Sequence, residues 1–173
     1  MSTVYIRPTV IEDAKVSYKW RNIPRLWKYT AFKTDKEITY EDEKAWLEKK
    51  LEQSNEFRFS ICLVENDQYI GYMFINNITE NEGEIHTVIG EMAYWGGGRA
   101  KDAAKLVLDS MFKNTSVKQI ITKVNVKNLG AIKLTLDMGF EKTHEEFHQE
   151  TGFDLVVFRM TKESFYEQFP DFK

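Results

Sequence analysis

Three stretches of the sequence hold groups able to do chemistry. The first is Tyr94-Trp95-Gly96-Gly97-Gly98-Arg99-Ala100, which lies between a strand-like and a helix-like segment. Its backbone amides can converge at the positive end of a helix dipole and hold an anion. Glycine suits the task because a side chain would keep anion oxygens away from those donors, and because it permits φ > 0. The competing reading is a flexible connection with no ligand. Two common phosphate loops do not fit: a P-loop ends in Gly-Lys-Ser/Thr, whereas Arg99-Ala100 follow Gly98, and the dinucleotide fingerprint needs a small residue where Lys101 stands. The second stretch opens a strand-like segment with Glu84, and period-two spacing puts it on one face with His86 and Val88. A carboxylate or an imidazole placed so can accept a proton. Either can equally be a surface ion-pair member or a half-buried polar residue, and Glu91 lies nearer the glycines. The third stretch, His144-Glu145-Glu146-Phe147-His148, fits H-E-x-x-H. On a helix its histidines would sit one turn apart, ready for zinc, with Glu167 as a possible third ligand. Between the Gly139-Phe140 stop and the Thr151-Gly152 turn, however, the segment is short for such a helix and is expected as a hairpin strand.

The elements that must position these groups follow from periodicity. A short strand at 5–7 precedes a helix in which Val10, Ala14, Ser17 and Tyr18 recur through Trp20, ending near Pro24. Thr39 is placed to cap an amphipathic helix over 40–53. From Phe57 the period becomes two: Phe57, Phe59, Ile61 and Leu63 alternate with Arg58, Ser60 and Cys62. The Asn66-Asp67 turn then returns a strand over 69–75 with Gly71 as a possible bulge. A polar loop at 76–83 leads to a strand over 84–89, then the glycines, then a helix over 99–113 whose inner face is Ala100, Ala103, Ala104, Val107 and Met111. A strand over 119–126, a helix over 129–137 stopped by Gly139, and a final strand over 153–160 complete the order. A mixed sheet with helices on its faces is the expectation.

Composition narrows the function classes. A chain of 173 residues is expected to form one core. With 24 basic against 27 acidic residues, net charge -3 and no basic block, nucleic acid is not an expected partner. No apolar run has signal-peptide or membrane-spanning length, so a cytoplasmic location without membrane contact is expected. The single cysteine, Cys62, has no internal disulfide partner and reads as core filler.

Trp95, Gly96, Gly97, Gly98, Arg99 and Ala100 meet the pattern Q/R-x-x-G-x-G/A, with Trp95 in place of Gln or Arg. Downstream, Asn128, Ala131, Ile132, Lys133, Gly139 and Phe140 match N-x-x-A-I-x with G-F six positions further on, and the chain opens with Ile6-Arg7-Pro8 and Trp20-Arg21-Asn22. On these residues, spread over 5–160, the chain resembles the GNAT superfamily of N-acetyltransferases, and within it the RimJ/RimL-like branch. The resemblance implies an α/β fold: a mixed, mostly antiparallel, twisted sheet of six to seven strands, splayed at its two central strands and flanked by helices. It implies one acetyltransferase domain over 1–173, working as monomer or homodimer. It also implies acetyl-CoA as co-substrate, with no metal. Pantetheine would pair with the backbone at Val88, Ile89 and Gly90, and the pyrophosphate would lie on Gly96 to Ala100 with Trp95, Arg99 and Lys101 beside it. Asn128, Ala131 and Lys133 would contact coenzyme. Arg99 and Lys101 also read as solvated cations, and Asn128 as a helix N-cap.

The implied reaction moves an acetyl group to a primary amine. Freeing an alkylamine lone pair at pH 7 costs about 3.4 pKa units, or roughly 4.6 kcal/mol, so a base is useful. Glu84 is the first candidate and His86 the second. The departing thiolate needs a proton, and the tyrosine that many relatives supply for it is replaced by Thr135, which leaves the acid unassigned. The acceptor is a protein N-terminus or a small amine by resemblance to ribosomal-protein acetyltransferases, or a nucleotide-linked amino sugar by the likeness of Trp20-Arg21-Asn22 and 38–47. Trp20, Arg21, Asn22, Tyr29 and Phe32, with Trp27 and Trp46, are candidates to line that pocket or to pack in the core. A non-catalytic acetyl-CoA-binding module is the reading from another class.

Overall fold

The computed structural model describes residues 2–32 and 34–173. Seven strands and five helices follow one another as β1 Val4–Pro8, α1 Ala14–Arg21, α2 Tyr40–Leu51, β2 Phe57–Leu63, β3 Tyr69–Asn76, β4 Glu82–Ile89, α3 Arg99–Asn114, β5 Gln119–Asn125, α4 Leu129–Asp137, β6 Glu141–His148, β7 Phe153–Thr161 and α5 Lys162–Gln168. The strands form one sheet in the order β1-β2-β3-β4-β5-β7-β6. Pairing is antiparallel at β1–β2, β2–β3, β5–β7 and β6–β7, and parallel at β4–β5. This is the mixed sheet that the order of periodicities implied, with the mostly antiparallel pairing that the family resemblance implied. The β4–β5 ladder registers Glu82 to Glu84 against Gln119 to Ile121; one position on, the contact is the Thr122 hydroxyl donating to Ile85 O at 3.2 Å.

The chain separates into two compact units, Met1–Ile75 with His86–Val107, and Asn76–Ile85 with Leu108–Lys173. In the first, β2 is covered on both faces. Phe57 is 43% exposed while Arg58, Ser60 and Cys62 are buried, so the polar side of the alternation faces protein. Ser60 donates to Asp13 at 2.7 Å, and Asp13 also receives a two-pronged contact from Arg7 at 2.6 and 2.8 Å. That network turns the residues after β1 into a short 3-10 segment, Ile11–Asp13, so α1 starts at Ala14. Cys62 is fully buried, and burial pushes its thiol up, as core filler should behave. The extra residue of β3 is Ile70, because Gly71 pairs with Ile61 and Tyr69 with Cys62, so the bulge falls one residue before the Gly71 expected for it; Gly71 serves close packing instead, since a Cβ there would lie 2.3 Å from Val88 O. Helix α2 is capped by Thr39, which accepts from the Asp42 amide, while Asp42 returns to the Thr39 amide at 3.1 Å.

In the second unit, Leu108, Met111 and Phe112 of α3 are at most 2% exposed, each contributing about 1.5–3 kcal/mol by burial. After β7 the chain forms α5 and a 3-10 turn, Pro170–Phe172, where strands alone were expected. Thr161 and Ser164 form its capping box, and the fully buried Phe165 packs on Phe112 at 5.6 Å. The aromatic partner lies more than fifty residues away, which is why a seven-residue helix escaped a reading by period.

Candidate active site: a glycine loop at a helix start

The loop after β4 is pinned before it reaches its glycines. The Gly90 and Glu91 amides both donate to Ile70 O, at 2.9 and 3.1 Å. The Trp95 indole N–H donates to Ile89 O at 2.8 Å, and the Tyr94 hydroxyl to Gln68 Oε1 at 3.0 Å. Gly90 is there for space: a Cβ would fall 1.9 Å from the Trp20 ring, whose indole N–H is held by Glu91 Oε1 at 2.9 Å. Glu91 is therefore occupied in locking a buried tryptophan. Of the backbone at Val88, Ile89 and Gly90, the Ile89 carbonyl and the Gly90 amide already have protein partners.

Gly96, Gly97 and Gly98 then take φ of +76, +58 and +78 in succession, the left-handed region in which a side chain is strained. Helix α3 opens directly after them, the Asp102 amide donating to Gly98 O at 2.9 Å. Among the described residues none of the backbone amides of 96–100 donates to a protein acceptor, as expected of an uncapped helix start. A Cβ at Gly96 or Gly98 would meet nothing within 4 Å, whereas one at Gly97 would lie 2.8 Å from Arg99 Nη1, so the loop carries unspent amides with open space beside its first and third glycines and a guanidinium beside its second, at the positive end of a 16-residue helix. This cradle fits a diphosphate. Of the two cations offered there, Lys101 is half-buried, and the Arg99 guanidinium lies over the Tyr94 ring at 5.1 Å. Arg99 Nε is buried without a partner beside a cavity of about 290 Å³ lined by Ser2, Thr3, Leu63, Val64 and Glu65.

Glu84 is half-buried on β4, with the Asn77 amide 3.5 Å from its carboxylate. Burial holds its carboxyl above the usual range; Lys123 and Asn77 moderate the shift, and Glu146 and Glu82 add to it. A carboxylate raised in this way is a better proton acceptor than an exposed one. His86 is half-buried and stacks on Phe74, ring centres 4.4 Å apart and planes 10° from parallel.

Several residues expected at the acceptor pocket are interior. Trp20 is 2% exposed, and Arg21 is buried with its guanidinium 3.0 Å from Glu43 Oε2. Trp27, Phe32 and Trp46 surround that guanidinium at 5.1, 4.6 and 4.3 Å. The physical reason is mutual satisfaction: a buried guanidinium needs a carboxylate and π-faces, and the aromatics of this segment supply them. Asn22 tethers the chain ahead of α2, exchanging two 2.8 Å hydrogen bonds with the Ile38 backbone. Tyr29 and Phe32 keep half their surface covered. A second buried guanidinium, Arg58, was not anticipated; it pairs with Glu56 at 2.5 Å and lies over Trp46 and Phe74 at 4.7 and 4.4 Å. Its only sequence signal was an arginine inside an apolar alternation.

In the second unit, Asn128 caps α4 by accepting from the Ala131 amide at 3.2 Å, Ala131 is half-buried, and Lys133 is exposed and paired with Asp137 at 2.6 Å. The Thr135 hydroxyl donates to Ala131 O at 2.8 Å, so it is spent on the helix backbone. The H-E-x-x-H helix does not exist: His144 and His148 lie on β6, where four residues span about 13 Å. His144 Nε2 is 3.4 Å from Glu146 and His148 Nδ1 is 2.9 Å from Thr151 Oγ1, which removes the geometry the zinc reading required. Among the described residues no helix is long and apolar enough to cross a membrane.

A family model described as an acetyltransferase (GNAT) domain matches residues 3–141. The chain is 28% identical over 157 residues to an uncharacterized protein of Methanocaldococcus jannaschii, covering 89% of this chain and only 31% of the archaeal one. It is 27% identical to the uncharacterized N-acetyltransferase p20 of Bacillus licheniformis, covering 95% of this chain and 99% of p20. Two crystal structures share the fold. Spermidine N-acetyltransferase from Vibrio cholerae, solved with CoA and spermine, has TM-score 0.81 at 19% identity over 94% of this chain and 98% of that one. Ribosomal-protein-S5-alanine acetyltransferase from Vibrio fischeri has TM-score 0.79 at 19% identity over 95% and 96%. Sheet order and strand pairing are those of a mixed α/β fold shared with these structures. The chain belongs to the GNAT acetyltransferase family.

Proposed function

We propose that this chain is an acetyl-CoA-dependent N-acetyltransferase of the RimJ/RimL-like branch, acting in the cytoplasm as one domain over its 173 residues and acetylating a primary amine by direct transfer. The observation that carries the reading is the run of three left-handed glycines at the start of α3, whose amides have no backbone acceptor among the described residues. When bound, the coenzyme supplies an activated acetyl thioester. The amides of 96–100 hold its diphosphate, and Trp95, fixed on Ile89 O, sets where the loop begins. Val88, Ile89 and Gly90 are assigned to the pantetheine arm through backbone groups other than the Ile89 carbonyl and the Gly90 amide, and Asn128, Ala131 and Lys133 at the start of α4 are assigned to coenzyme contact. Glu84 takes one proton from the incoming ammonium, the free amine attacks the thioester carbonyl so that the C–N bond forms and the C–S bond breaks, and the second N–H proton passes through water to the departing thiolate. His86 is the second candidate for the base. Thr135 is not assigned as the acid: an alcohol is far too weak an acid for the task, and this hydroxyl donates to Ala131 O.

A small or N-terminal amine is supported by the neighbours named for spermidine and for the alanine of a ribosomal protein, and the alternative, a nucleotide-linked amino sugar, by a neighbour of TM-score 0.81 described as a nucleotide-linked sugar GNAT. Thiol release from acetyl-CoA, measured with peptides, polyamines, aminoglycosides and amino-sugar nucleotides, tests the reading. Turnover is expected with at least one primary amine. Tight coenzyme binding with no release across the whole panel would instead favour a binding module.

A further inference from the structure

Arg25 lies in the 3-10 turn Pro24–Trp27, exposed, with its guanidinium carbon 5.3 Å from the centre of the Trp95 ring. Both partners are set by rigid anchors. The Trp27 indole N–H donates to Trp20 O at 2.9 Å and the Leu26 amide to Ile23 O at 3.0 Å, which ties the turn to the end of α1. The Trp95 ring is fixed by its own N–H on Ile89 O. Among the described residues Arg25 has no carboxylate partner. Every buried arginine of this unit is treated differently: Arg21 has Glu43 and Arg58 has Glu56. An exposed guanidinium resting on an exposed indole gains little from that contact alone. What distinguishes Arg25 is its place, on the residue that directly precedes three open glycines.

We propose that Arg25 is a phosphate-binding residue of the coenzyme site, reaching the diphosphate at 96–100 from its platform on Trp95. A guanidinium matches a diphosphate because its planar fork meets two oxygens at once, and the charge-assisted bonds that result are stronger than neutral ones. The proposal rests on the reading that the loop holds coenzyme A.

The test is calorimetric titration of CoA, 3′-dephospho-CoA and pantetheine into wild type, Arg25→Met and Arg25→Lys at low and high salt, with melting curves in parallel. Methionine keeps much of the apolar contact with Trp95 and removes the charge. Arg25→Met should bind CoA and dephospho-CoA about 5- to 20-fold more weakly at low salt, by the same factor for both, with the gap shrinking at high salt. Pantetheine affinity should not change, and Arg25→Lys should recover part of the loss. Equal CoA affinity in wild type and Arg25→Met overturns the proposal. So does a loss confined to CoA, which would move Arg25 to the 3′-phosphate, and so does an equal loss for pantetheine, which would make Arg25 a support of the fold only. Failure of wild type to bind CoA would overturn the coenzyme reading itself, a result distinct from all of these.

Discussion

Replacing Gly98 with alanine separates the cost of folding from the cost of binding. Gly98 has φ +78, and its carbonyl starts the hydrogen-bond ladder of α3 through Asp102. A Cβ there meets no atom within 4 Å, so the cost to the folded protein is only the strain of an L-residue in the left-handed region, about 1 kcal/mol. For a chain of this size that is a fall of about 2–4 °C in Tm. Binding should suffer far more, because the new methyl stands on the open side of the loop, where a phosphate oxygen must approach the amides. Losing one charge-assisted hydrogen bond of about 1.5–3 kcal/mol weakens CoA by about ten- to a hundredfold. Titration calorimetry with CoA measures the second quantity and scanning calorimetry the first. A Gly98→Ala protein that melts a few degrees lower yet binds CoA within twofold of wild type would refute the reasoning. It would show that the glycines serve the turn and not the ligand.

Gly90→Ala should behave in the opposite way, with folding itself failing. Its Cβ would sit 1.9 Å from an indole that is 2% exposed and hydrogen-bonded to Glu91, an overpacking cost of about 3 kcal/mol or more, read as a large Tm drop and altered tryptophan emission. Glu84→Gln should lower kcat by about 10²–10⁴-fold and abolish the acid limb of the pH–rate profile, which in wild type should lie above the ordinary carboxylate value of about 4.3. Because burial raises the folded-state value, the folded protein binds this proton more tightly than the unfolded chain does. The carboxylate therefore costs stability above that value, and Glu84→Gln should melt no lower than wild type at pH 7.5. Asp13 has the opposite sign: burial lifts it, but Arg7, the Val10 amide and the Ser60 hydroxyl together leave it below its usual value. Its contribution is present above about pH 4 and lost as pH falls through the folded value. Asp13→Asn should cost about 2–4 kcal/mol at pH 7, with the gap to wild type closing in acid; a constant gap would count against the Arg7 pair.

The order of strands and helices could be read from the sequence because each signal is local. Thr39 with Asp42 and Asn128 with Ala131 are caps spanning three residues, and the glycine run at 96–98 announces its own backbone. Family membership was legible for the same reason, since the loop pattern and the Asn128 to Phe140 pattern depend on spacing along the chain. What only the tertiary structure decided is which side chains the protein keeps for itself. The exposed Phe57 beside buried Ser60 and Arg58, the Trp20 ring filling the space over Gly90, and the guanidinium of Arg21 between Trp27, Phe32 and Trp46 follow from partners as much as about seventy residues apart in the chain. A periodicity records that a residue has a face; it carries no information about what will be packed against that face. For the same reason the sequence offered Trp20 and Arg21 to a pocket that the fold fills with its own core, and passed over Arg25, whose place beside the glycine loop exists only once the turn after α1 meets Trp95.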